Sequence, residues 1–111
     1  MSYSIVPTNN FDRELKRLVK KHRSIKADVI NLGEMLEDNP IMGDEVITNC
    51  YKIRMAITSK NKGKSGGARI ITYVYVAQEI VFLLSIYDIG EQDDIGNNEL
   101  KELIKSLGLD E

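Results

Sequence analysis

Tryptophan is absent from this chain, cysteine and histidine occur once each, and proline only twice. A lone cysteine, Cys50, forms no internal disulfide, and with His22 as the single histidine no zinc site of the usual Cys/His composition can be built. No apolar stretch approaches the roughly 20 residues needed to cross a bilayer. The longest, Ile80–Leu84, runs on only through Ser85 to Ile86 and Tyr87. The opening MSYSIVPTNNFDRELK shows no cationic segment followed by an apolar one, so no secretory signal is read there. A cytoplasmic location with no membrane association is the expectation. The stretch KNKGKSGG lacks the G-x-x-x-x-G-K-[ST] spacing of a nucleotide-binding loop and joins strand to strand. The acidic GEQDDIGNNE matches no EF-hand loop and reads as a solvated turn. No metal or other cofactor is expected.

What remains is an ordinary single domain, residues 1–111, with 42% hydrophobic and 29% charged residues. Its net charge of −2 hides a polarised chain. Residues 1–69 hold 13 Lys/Arg against 8 Asp/Glu, whereas residues 70–111 hold 2 against 9. Between Val46 and Val76 there are six bases and no acid. The local field around that segment is therefore strongly positive despite a pI near 5.5.

Periodicity places the elements. Ser2–Val6 alternates and stops at Pro7, the pattern of an edge strand. Asn9 or Asn10 is read as the cap of a helix whose apolar face carries Phe11, Leu15, Leu18, Val19 and His22. His22 there reads as a packed structural histidine. Ile25, Val29, Leu32, Met35 and Leu36 stripe a second helix that ends at Asn39-Pro40. From Val46 the period becomes two, with Tyr51, Ile53, Met55 and Ile57 alternating against Lys52, Arg54, Ala56 and Thr58. Cys50 opens this strand and reads as core. Ala68–Val76 and Ile80–Ile89 form a hairpin of buried strands, and Asn97 or Asn98 begins a last helix carrying Leu100, Leu103, Ile104 and Leu107. The order is β-α-α-β-β-β-α, an α+β domain with a mainly antiparallel sheet of about four strands.

The chemistry concentrates in the basic segment. Lys52 and Arg54 share one face of a strand at about 6–7 Å along it, opposite the side chains that enter the core. Two neighbouring cations add repulsion and no packing. Lys60, Lys62 and Lys64 continue the charge into a glycine-rich loop, and Arg69 opens the next strand. Such a surface suits a polyanion, RNA or DNA phosphate foremost. A solvated loop whose lysines protect a sheet edge is the competing reading from these residues alone. If the cluster also catalyses, Lys52 is the candidate base, because crowding by cations disfavours a charged lysine. Arg54 and Arg69 are the candidate phosphate clamps, with a loop lysine as acid or positioner. If Arg69 serves the same face as Lys52 and Arg54, the numbers of residues opposed across this hairpin must sum to an odd value.

The segments RELKRLVKKHRSIKADV, DNPIMG, YKIRMAI, KNKGKSGGARIITY and VFLLSIYD together resemble the RelE/ParE superfamily of bacterial toxins, closest to its RelE- and HigB-like members. The resemblance spans nearly the whole chain in the right element order. It implies a compact microbial-ribonuclease-like fold and metal-independent, ribosome-dependent mRNA cleavage that inhibits translation. It implies a cognate antitoxin whose acidic segment covers the basic surface, with DNA reached only indirectly through that antitoxin. Carried over by position, the catalytic residues are Lys52, Arg54 and Arg69. Lys60, Lys62, Lys64 and Tyr87 contact RNA phosphate, and Arg13, Lys16, Arg17, Lys20 and Lys21 of the first helix face the ribosome.

One departure stands out. Where relatives read IYDKSE, this chain has Ile86-Tyr87-Asp88-Ile89-Gly90-Glu91, so an expected lysine is Ile89 and an expected serine is Gly90. The resemblance therefore also admits a catalytically weakened, antitoxin-binding member, and a gyrase-inhibiting protein of the ParE kind. The acidic C-terminal half is expected on the face away from Lys52.

Overall fold

The computed structural model describes residues 2–60, 66–92 and 94–109. Its elements are β1 Ser4–Pro7, α1 Asn9–Val19, α2 Ile25–Asp38, β2 Asp44–Ile47, β3 Cys50–Met55, β4 Ala68–Tyr75, β5 Ile80–Asp88 and α3 Asn97–Lys105. A single 3-10 turn, Val76–Gln78, joins β4 to β5. The five strands form one sheet in the order β1-β5-β4-β3-β2.

One expectation is corrected here. The sheet has five strands, because the alternating run that begins near Val46 is broken by a turn at Asn49, whose left-handed φ of 64° folds β2 back on β3. The sheet is mainly antiparallel, as expected, with β1 alone running parallel to its neighbour, β5. The parallel pairing requires a long crossover, and the chain between β1 and β5 supplies it.

The sheet buries both faces. One carries Ile53, Met55, Ile70, Val74, Val81, Leu83 and Ile86 against Phe11 and Leu18 of α1 and Val29, Leu32 and Leu36 of α2. The other carries Cys50, Ile71, Tyr73, Leu84 and Tyr87 against Ile95 and Leu100, which bring α3 onto that side. Burial on two faces is why β4 and β5 read as nearly continuous apolar runs. It also pushes the Cys50 thiol up to about 11, so this cysteine is a core residue with no tendency to ionise.

Local details differ from the sequence reading for long-range reasons. The cap of α1 is Thr8, whose hydroxyl accepts from the Phe11 N–H at 3.2 Å while donating to the Leu83 carbonyl at 2.9 Å. Asn10 instead donates to the Leu84 carbonyl at 2.9 Å, and Glu14 accepts from the Ile86 N–H at 3.2 Å and the Ser85 hydroxyl at 2.8 Å. These side chains satisfy the edge of β5 where β1 has ended at Pro7, closing an edge that would otherwise invite pairing. The first helix ends at Val19, so Lys21 and His22 lie in the turn that follows it. No helix among the described residues is long and apolar enough to cross a membrane.

Candidate functional site

Strand β3 presents its two cations as its alternation requires. Ile53 and Met55 are buried beneath α2, so Lys52 and Arg54 project to the α3 side. The β3–β4 register opposes Arg54 to Arg69, an odd sum, and the β4–β5 register opposes Arg69 to Tyr87. Arg54, Arg69 and Tyr87 therefore form one row across three strands, with Lys52 two residues along β3 on the same side. Neighbouring positions in such a row have Cβ atoms about 5 Å apart. Two directly opposed arginines destabilise a sheet. Arg54 donates to the Gly66 carbonyl at 3.2 Å. Arg69 is half-buried, and its Nε has no hydrogen-bond partner among the described residues. A buried guanidinium N–H left unpaired is costly, and a phosphate oxygen is well suited to satisfy it.

Tyr87 reaches this row only because of an irregularity in β5. Ile71 pairs with Ser85 and Thr72 with Leu83, so Leu84 is the extra residue of a β-bulge. Before the bulge, Val81 and Leu83 face α1 and α2; after it, Ile86 does, and Tyr87 turns to the α3 side. Tyr87 is 2% exposed. It is packed with Ile95 and Leu100 and offers no face for a base to stack on, so its contribution to a ligand is its hydroxyl.

Part of the acidic half of the chain is not on the far face. The Asp94 carboxylate lies 3.2 and 3.3 Å from Lys52 Nζ, and the Tyr87 hydroxyl donates to it at 3.3 Å. The Ile95 N–H, donating at 2.8 Å, holds this carboxyl below the usual carboxylate range, and Lys52 and Tyr87 add to the effect against a modest opposing cost of desolvation. Lys52 is therefore not surrounded by cations alone, which was the physical basis for giving it the role of base.

Lys60 is drawn elsewhere. Its Nζ lies 3.6 Å from Asp88, which accepts from the Gly90 N–H at 2.8 Å and sits 2.8 Å from His22 Nε2. The bulge turns Asp88, like Ile86, away from Tyr87. His22 and Asp88 are both buried, so this histidine is packed and partnered. Burial pushes the Asp88 carboxyl up, but His22, the Gly90 N–H and the Lys60 charge together leave it below its ordinary value. Asp28 pins the chain leading to Lys60, accepting from the Thr58 N–H at 3.0 Å, its hydroxyl at 2.9 Å and the Ser24 hydroxyl at 2.9 Å. Lys60 stays close to the row nonetheless: a Cβ on Gly66 would lie 3.1 Å from Lys60 Nζ. Lys62 and Lys64 lie outside the described residues.

The helix cations divide. Arg17 pairs with Glu91 at 3.5 Å and Lys21 pairs with the same carboxylate, tying the end of α1 to the segment after β5. Arg13 donates to Asn10 at 2.6 Å. Lys16 and Lys20 rim a groove of about 350 Å³ between α1 and α2, together with Lys26, Asp12, Leu15 and Val19. The sequence reading thus found the basic row and its face. It missed Asp94 as a partner of that row, and the only available signal was the acidic run around it.

No family model matches the chain. Among solved structures, a double arginine-to-alanine mutant of the Escherichia coli toxin RelE in the free state superimposes with a TM-score of 0.62 at 18% sequence identity. The match covers 96% of this chain and 98% of that one. The protein has a RelE-like α+β fold.

Proposed function

We propose that this protein is the toxin of a type II toxin–antitoxin module, a ribosome-dependent, metal-independent endoribonuclease that inhibits translation by cleaving mRNA. The RelE-like fold supports the toxin reading. The observation that carries the chemistry is the Arg54–Arg69–Tyr87 row with Lys52 beside it and Arg69 Nε unpartnered among the described residues. Attack of a 2′-hydroxyl on the adjoining phosphate forms the O2′–P bond and breaks the P–O5′ bond. The 2′-hydroxyl proton goes to a base, and the 5′-oxygen takes one from an acid. Arg54 and Arg69 grip the non-bridging oxygens and offset the charge that develops on them. Tyr87 holds a hydroxyl donor at the same row, and Lys52 is the acceptor as a neutral amine, its charged form disfavoured by Arg54 and Arg69 once Asp94 has withdrawn. Lys60, Lys62 and Lys64 guide the flanking phosphates, and Arg13, Lys16, Arg17, Lys20 and Lys21 face ribosomal RNA. A cognate antitoxin with an acidic segment covers the basic surface in the cytoplasm, and DNA is reached only through it.

The test is cleavage of a translated mRNA in a purified translation system, with the new ends mapped. Lys52→Ala and Arg69→Ala are expected to abolish cleavage while circular dichroism shows the fold intact. Full cleavage by both variants refutes the assignment. Two observations favour a second reading, a catalytically weakened member that still binds its antitoxin: Ile89 stands where a lysine is expected, and Asp94 occupies Lys52. That reading predicts little cleavage by the natural sequence and a gain on Ile89→Lys.

A further inference from the structure

Asp94 is held by the chemistry that would hold a phosphate oxygen. A lysine ammonium and a tyrosine hydroxyl both point at its carboxylate, and both belong to the face that carries Arg54 and Arg69. The anchor behind it is Ile95, 6% exposed and packed with Leu100 against Cys50, Ile71 and Leu84. The Asp94 side chain itself is 58% exposed, so the anion stands at the mouth of the site and not in the core. Exposed ion pairs contribute little to folding, so stability alone gives weak reason for this carboxylate to sit on Lys52. Its cost to an incoming polyanion is direct, because one cation is already neutralised and one negative charge stands in the path.

We propose that Asp94 is an intrachain anion that occupies a phosphate position over Lys52 and Tyr87 and competes with RNA for it. This rests on the reading of Lys52 as a residue of the RNA site. Entry of RNA exchanges the carboxylate for a phosphodiester whose neighbouring phosphates reach Arg54 and Arg69, contacts that a single aspartate cannot make. The carboxylate can swing out about its own side-chain bonds while the Ile95 anchor stays in place. The site is thus set for a ligand with several phosphates and is screened against isolated anions.

The experiment uses the full chain and a short single-stranded oligonucleotide with 2′-O-methyl groups, which binds without being cut, followed by fluorescence anisotropy across a salt series. Asp94→Ala is expected to tighten binding about three- to tenfold, the range expected for removing one charge a few ångströms from a phosphate. It should also steepen the salt dependence by about 0.7 in the logarithmic slope, one added phosphate contact. Glu99→Ala, which removes an equally negative exposed side chain with no ion pair among the described residues, sets the general charge effect. In a Lys52→Ala background the specific gain from Asp94→Ala should disappear. An Asp94→Ala gain no larger than that of Glu99→Ala, or one that persists without Lys52, overturns the competition while leaving the phosphate site standing. If Lys52→Ala fails to weaken binding even in the Asp94→Ala background, Lys52 takes no part in the RNA site, and the reading beneath the proposal falls with it.

Discussion

Arg69 offers a prediction in which stability and function move in opposite directions. It lies directly opposite Arg54 on the neighbouring strand, and its Nε is buried with no hydrogen-bond partner among the described residues. At about 6 Å, two unit charges repel by about 0.7 kcal/mol in water and about 2.8 kcal/mol at an effective dielectric of about 20. Arg54 is exposed, so the lower end applies, near 1 kcal/mol. The orphaned N–H costs about 1–3 kcal/mol on its own. Arg69→Met keeps an unbranched apolar stem of similar reach and removes both penalties. Allowing for relaxation of the two side chains, the variant should be more stable by about 1–3 kcal/mol. For a domain of this size that corresponds to a Tm higher by at least about 4 °C. Calorimetry at physiological and at about 1 M salt separates the two contributions, since a Debye length near 3 Å removes the repulsion and leaves the N–H term. RNA binding and cleavage should fall sharply in the same variant, the exchange expected where a site is kept strained for its ligand. A lower Tm for Arg69→Met, or unchanged RNA binding, would refute the reasoning, because Arg69 would then be a structural residue.

Two further predictions concern the frame that holds the site. The Asp88 carboxyl is more acidic in the folded chain than in the unfolded one, so its ionised form favours folding. That contribution is complete above about pH 4, the unfolded value, and is lost as pH falls through the lower folded value. Asp88→Asn should flatten this acid limb of the Tm profile and lower stability at neutral pH by about 1–3 kcal/mol; profiles that run parallel from pH 2 to 7 count against the pairing with His22. Gly67 has a φ of 111°, and a Cβ there would stand 2.8 Å from the Met55 carbonyl oxygen. Gly67→Ala should therefore cost about 1–3 kcal/mol in urea unfolding and disturb the start of β4 next to Arg69, and an unchanged midpoint would show that the β3–β4 approach is looser than it is here.

The residues themselves determined a good part of this protein. Alternation in β3 dictates that Ile53 and Met55 go inward and that Lys52 and Arg54 come out together, because a strand has no other way to bury them. Helical spacing gives the α1–α2 hairpin and α3, and the acid-free run from Val46 to Val76 places the positive field. Each of these follows from period and charge within a few neighbouring residues. What tertiary structure alone decided depends on partners far apart in the chain. The β3–β4 register, which a long loop leaves open, puts Arg69 opposite Arg54. The extra residue at Leu84 sends Tyr87 to the basic face and Asp88 to His22, a reversal that no local pattern announces. Thr8 caps α1 because it also reaches Leu83, a strand away in space and most of the chain away in sequence. Lastly, the apolar face of α3 and its lead-in Ile95 bury themselves on the same side as Lys52, which carries Asp94 onto the cation. An acidic run is solvated wherever it falls in a sequence; only packing determines which base it meets.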